Sequence, residues 1–237
     1  MTISISSAVV VPEGDDVEVK RLMPVANLRN FDPFVLWDHF DIAGGGFPNH
    51  PHRGFEAITY MLEGGMQHTD NLGNKGVVYA GGAQRFTAGK GLVHSEMPDG
   101  HAAGIQLWIN LPKRLKGIEP NYQQADSIPS RDKDGVSIRV IVGEGGAVLL
   151  KTEVEYLDVS LAAGICWQRP IPDGFRGFVY VLEGSLLVEG ENVAAASAAY
   201  IDGMSGLTIE TSQATRLMWC FGRPHGEPIY QNGPFVD

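Results

Sequence analysis

Two stretches of eleven residues constrain the architecture most. Gly54-Phe55-Glu56-Ala57-Ile58-Thr59-Tyr60-Met61-Leu62-Glu63-Gly64 aligns without a gap on Gly174-Phe175-Arg176-Gly177-Phe178-Val179-Tyr180-Val181-Leu182-Glu183-Gly184, at an offset of 120. Gly, Phe, Tyr, Leu, Glu and Gly are identical at matching places. An apolar strand closed by a Gly turn and copied at one spacing points to two copies of a single β unit. The rest of the chain agrees, since 30 glycines and 14 prolines fall between short apolar runs. That punctuation belongs to an all-β sandwich or jelly roll. Strands are predicted over 3–11, 54–63, 76–79, 84–87 and 105–111 in the first half. In the second half they are predicted over 136–142, 153–161, 175–182, 185–189, 207–210 and 215–221. One short helical turn is predicted at 113–117. The polar, turn-rich run 120–135 marks a boundary, giving an N-terminal domain over 1–125 and a C-terminal domain over 126–237. The C-terminal tail is allowed to cross back.

The repeat also fails in an informative way. The first copy is preceded by His50-Pro51-His52 and followed by His94-Ser95-Glu96. Alternate residues of an extended chain face the same way, so each pair aims at one point. If the two segments are neighbours, His50, His52, His94 and Glu96 form a mixed nitrogen and oxygen site for one metal ion. Imidazole with carboxylate and no thiolate suits Fe(II) first, with Mn, Ni, Cu or Zn behind it. Four protein ligands leave open positions for a substrate. Glu56 shares the parity of His50 and His52 and is the competing carboxylate. In the second copy Pro170, Pro172 and Arg176 stand where His50, His52 and Glu56 stand in the first. Metal is therefore expected in the first domain alone.

The remaining features exclude more than they assign. A net charge of −10 argues against a broad nucleic-acid footprint. No apolar run approaches the ~20 residues that span a bilayer. The start of the chain lacks the basic segment of a signal peptide, which points to the cytoplasm. Cys166 and Cys220 are read as reduced, small buried apolar residues. His39, His68, His101 and His225 are expected to be surface or internally satisfied. Ser95 faces away from His94 and makes no nucleophile–base pair. Gly89-Lys90-Gly91 lacks phosphate-loop spacing.

At these residues the sequence resembles the pirin family of the cupin superfamily. The segments are His-Pro-His-Arg-Gly-Phe-Glu at 50–56, Tyr-Met-Leu-Glu-Gly at 60–64 and Thr-Ala-Gly-Lys-Gly-Leu-Val-His-Ser-Glu-Met-Pro at 87–98. Gln-Leu-Trp-Ile-Asn-Leu at 106–111 and Gln-Asn-Gly-Pro-Phe-Val at 231–236 complete them. The resemblance implies a bicupin, two tandem jelly-roll β-barrels packed face to face, with metal ligands His50, His52, His94 and Glu96. It implies a metal-dependent dioxygenase that opens the heterocycle of a flavonol such as quercetin with O2, Glu96 doubling as base. The alternative it carries is a metal- or redox-sensing regulator that binds other proteins without turnover, nuclear in a eukaryote. A tandem bicupin is expected to be a monomer.

Overall fold

The computed structural model describes residues 2–237 and is almost entirely β. The first strands are β1 Thr2–Ser7, β2 Val9–Glu13, β3 Val17–Met23, β4 Phe34–Ile42 and β5 Phe47–His52. They are followed by β6 Phe55–Asp70, β7 Lys75–Tyr79, β8 Ala83–Thr87, β9 Leu92–Asn110 and β10 Asn121–Ala125. Next come β11 Ser130–Lys133, β12 Val136–Val142, β13 Val154–Leu161, β14 Cys166–Pro170, β15 Arg176–Glu183 and β16 Ser185–Val188. The last are β17 Glu191–Ala194, β18 Ser197–Asp202, β19 Gly206–Glu210, β20 Thr215–Gly222, β21 Gln231–Asn232 and β22 Phe235–Val236. The predicted helical turn is a 3-10 turn at Lys113–Leu115.

The chain forms two compact units. One holds Val9–Ile128, Leu150–Thr152 and His225–Asp237. The other holds the N-terminal residues up to Ala8, Pro129–Leu149 and Glu153–Pro224. The division is therefore not a single cut between 125 and 126. The stretch predicted as one strand over 3–11 breaks at Ala8, and its halves join different sheets: β1 pairs with β18, β2 with β3.

In the first unit nine strands run in the order β10-β8-β6-β9-β4-β3-β2, with β5 also on β9 and β7 also on β6. Strands β6 and β9 are long and antiparallel, and they organise the unit. Their far halves pair Phe55–Gly64 with Ala102–Asn110, and their near halves pair Met66–Asp70 with His94–Pro98. Between the halves the register slips at Met61/Glu63 and again at Gly64/Met66. Such bulges bend a sheet so that one strand serves two surfaces. Gly64 makes the bend possible. Its φ is +65°, and a Cβ there would lie 2.0 Å from the His101 carbonyl oxygen.

The second unit repeats the device. Its sheet runs β1-β18-β15-β20-β13-β12-β11, beside a four-stranded sheet β14-β19-β16-β17. The register slips at Val181/Glu183, 120 residues after Met61/Glu63, and Gly184 takes a φ of +82°. The repeat seen in sequence is thus a repeat of strand, bulge and turn. What differs is the filling. Where β5 sets His50 across from His94, β14 sets Pro170 across from Gly206. Leu157, Val179, Leu207, Trp219 and their neighbours pack as a continuous apolar core there. Both cysteines are free; Cys220 is buried, but Cys166 is exposed, against expectation, because it begins edge strand β14.

Candidate metal centre

The near half of β9 shows a strict alternation, with His94 and Glu96 buried and Val93 and Met97 exposed. This puts both expected ligands on one face. Strand β5 lies along one edge, and its register sets His50 opposite His94 and Phe47 opposite Glu96. His52, two residues on, turns the same way. One donor atom from each of His50, His52 and His94 lies within 4.8 Å of the others. Glu96 stands outside that trio but lines the same cavity as His50 and His52. Glu56 is elsewhere. Gly54, with a φ of +88°, breaks the parity, and Glu56 accepts hydrogen bonds from Thr87 Oγ1 at 2.7 Å and the Lys151 amide at 2.7 Å.

Hydrogen bonds fix which imidazole nitrogen is free. His50 Nδ1 lies 2.7 Å from the Pro48 carbonyl, and His52 Nδ1 lies 3.3 Å from the Pro234 carbonyl. A carbonyl can only accept, so both protons sit on Nδ1 and both Nε2 lone pairs are free. His50 Nε2 and His94 Nε2 are 3.1 Å apart. Two nitrogens bound at right angles to one ion at ~2.1 Å would be about 3 Å apart, so this spacing fits a shared metal. Burial, reinforced by His94 and His50 nearby, pushes the His52 imidazole down to about 2. Burial and His50 likewise hold His94 well below its usual value. Both rings stay neutral, the state a ligand requires. The apolar wall behind them consists of Phe86, stacked on His52 at 5.4 Å, with Trp108 and Phe55 edge-on.

Glu96 is held by three donors. Thr59 Oγ1 (2.7 Å) and Gln84 Nε2 (2.6 Å) reach Oε1, and Gln106 Nε2 (2.8 Å) reaches Oε2. Tyr122 donates to Gln84 Oε1 at 2.9 Å, which turns the amide nitrogen toward Glu96. A carboxylate offers about four acceptor positions, so one remains, on Oε2.

Several further residues close the site. His68 is buried and internally bonded to Asp70, directly across from Glu96 on β6, and Asp70 is across from His94. Burial works against the Asp70 charge, but donors from Asn74 and His68 outweigh it and hold the carboxyl below its usual range. His68-Thr69-Asp70 carries the same alternate spacing as the two ligand pairs, which was the available signal. Thr59, Gln84, Gln106 and Pro234 carried none. His225 is satisfied by Thr152 and the Asn110 carbonyl, and His101 by Asp41.

His50, His52 and Glu96 open on a cavity of about 610 Å3. Leu36, Phe40, Phe47, Met66 and Trp108 give it apolar walls. Arg21, bonded to Asp38 and Glu13, supplies a charged rim, where burial pushes the Asp38 carboxyl up to about 6 against the pull of Arg21.

Residues 16–109 match the Pirin family profile, and residues 156–237 match the Pirin C-terminal cupin domain. A pirin-like protein of Caulobacter vibrioides is 42% identical over 94% of this chain and 87% of its own. The chain belongs to the pirin family. Its two units are accordingly cupin domains. Among solved structures, the quercetin 2,3-dioxygenase of Acinetobacter baumannii superposes with a TM-score of 0.91 at 27% identity, covering 99% of this chain and 83% of that one. A pirin of Escherichia coli solved with nickel(II) superposes at 0.80 and 24% identity, over 94% of this pirin and 99% of its own chain, a likeness of fold alone.

Proposed function

We propose that this pirin is a metal-dependent dioxygenase that opens the heterocycle of a flavonol such as quercetin, with Fe(II) held by His50, His52, His94 and Glu96. The cavity carries the reading: it reaches two of the histidines and Glu96, has apolar walls, and is of the size that takes a small aromatic ligand. The likeness to a quercetin 2,3-dioxygenase supports the substrate class. A divalent ion at this site supplies positive charge for the flavonol oxygens and a path for electrons to O2.

The chain's own residues set the rest. Trp108, Phe47 and Phe40 flank the space a planar ring system would fill and keep water from it. Glu96 has one acceptor position left. It serves the ion in the resting protein or the flavonol 3-hydroxyl proton in turnover, never both at once. In the overall change both atoms of O2 enter the product. The C2–C3 and C3–C4 bonds break, and carbon 3 leaves as CO.

The test is turnover of quercetin under O2 by anaerobically reconstituted protein, following flavonol loss and CO release. Turnover that disappears in His94→Ala is the expected result. One ion per chain with no flavonol loss would replace the enzyme by the regulator that binds other proteins.

A further inference from the structure

The buried pair His68–Asp70 stands on the side of β9 away from β5, and the proposed function gives it no part. Antiparallel register sets Asp70 beside His94 and His68 beside Glu96, so β9 carries His94 between His50 on one edge and this pair on the other. His68 Nε2 is 3.2 Å from Asp70 Oδ2. Asp70 is in turn fixed by the Leu72 and Asn74 amides at 2.9 Å each and by Asn74 Nδ2 at 2.8 Å. Tyr122, which orients Gln84 on Glu96, stacks on His68 at 4.4 Å and 21°.

Two nitrogens in this cluster lack a partner: among the described residues, His68 Nδ1 and His94 Nδ1 are both buried and unbonded. Their polarities are complementary. Asp70 accepts, so His68 carries its proton on Nε2 and its Nδ1 is a free acceptor. With His94 Nε2 given to the metal ion it shares with His50, the His94 proton sits on Nδ1, which is then a free donor. The ring centres are 5.3 Å apart. A ring nitrogen lies roughly 1.1 Å from its centroid, so two nitrogens turned toward each other along the line of centres stand about 3 Å apart, hydrogen-bond range.

The geometry points to His68 as a positioning residue, held by Asp70, that accepts the Nδ1 proton of His94 and so aims His94 Nε2 at the metal. This rests on the metal site proposed above. A carboxylate or carbonyl behind a ligating imidazole fixes its tautomer and raises its basicity, and loss of such a partner weakens metal binding by about 10- to 100-fold.

The experiment uses Co(II) as probe on the full chain, with affinity read from its visible absorption in competition with a chelator. His68→Gln keeps a polar group near Asp70 but removes the acceptor facing His94. His68→Asn places an oxygen near the Nδ1 position and gives up the reach to Asp70. We expect Co(II) affinity to fall about 10- to 100-fold in His68→Gln and to stay within about threefold of wild type in His68→Asn. Unchanged affinity in His68→Gln overturns the proposal, and so do equal losses in both variants, which would mark a role in shape alone. Imidazole nitrogen NMR of the wild type loaded with diamagnetic Zn(II) is independent of both variants. A proton on His68 Nε2 supports the arrangement, and one on His68 Nδ1, placing two donors face to face, overturns it. Wild-type protein that takes up no Co(II) removes the metal reading itself, a result distinct from any of these.

Discussion

His52 is neutral because of where it is, not what it is. Burial against Phe86, Phe55 and Trp108, with His94 and His50 close by, lowers its pKa to about 2 from an unfolded value near 6.5. The unfolded chain therefore takes up the proton first as pH falls. The stability from a neutral His52 is complete above about pH 6.5 and is lost progressively below it, at about 1.4 kcal/mol per pH unit for each such group. His94 adds to the slope in the same direction. Metal-free protein should thus denature more easily at pH 5 than at pH 7.5 in urea. His52→Phe, which keeps the aromatic packing, should flatten that dependence; an unchanged slope would show that His52 does not set it. Glu96→Gln divides the two uses of its last acceptor position. A ligand role predicts weaker metal binding, whereas a base role alone predicts full metal and lost turnover. The sequence displayed His50, His52, His94 and Glu96 through alternate spacing and the failed repeat. It did not display Thr59, Gln84 or Gln106, because their contact with Glu96 depends on strand register, which no local pattern encodes.

At the scale of elements, the bends in β6 and β9 decide what reaches the site. Gly54 and Gly64 are the first and last residues of the first copy of the repeat, and neither tolerates a side chain. A Cβ at Gly54 would lie 1.8 Å from the Val236 carbonyl oxygen, which Lys116 also binds at 2.7 Å. Gly54→Ala should push the C-terminal segment away, withdrawing the Pro234 carbonyl from His52. Gly73, with a φ of +94° and open space around it, separates backbone strain from collision. Gly73→Ala should cost about 1–2 kcal/mol, and Gly54→Ala should cost more and weaken metal binding as well. Equal losses of thermal stability with metal binding intact would contradict this. The strand at 136–142, set between Gly135 and Gly143 and rich in β-branched residues, was legible. β4 was not, since Phe34–Trp37 is a continuous apolar run and Asp38, buried in the middle of the strand, interrupts any alternation. β9 was read only over its last third, because Pro98 and Gly100 look like an end where the chain only bends.

For the whole molecule, the two units exchange their ends. Strand β1 belongs to the unit built on the second repeat, and His225–Asp237 belongs to the unit that holds the histidines. Val236 is buried in the core beside Phe55 and Trp108, and Arg53 grips Asp237 at 2.7 and 2.9 Å. A chain ended after Asn232 should fold less stably and bind metal about 10- to 100-fold more weakly, as chelator competition would show. Fragment 1–125 should not hold metal, since it lacks Pro234, Val236 and the Lys151 amide that meets Glu56. The two-copy plan was legible because the repeat is gapless; the exchange of ends was not, because nothing local marks Ala8 or His225 as a crossing. Everything at the site follows from the three histidines holding one ion. This is tested most directly by elemental analysis of anaerobically purified protein beside His94→Ala. Close to one ion per chain is expected in the first and little in the second, with the two equally folded. Full metal content in His94→Ala would contradict it.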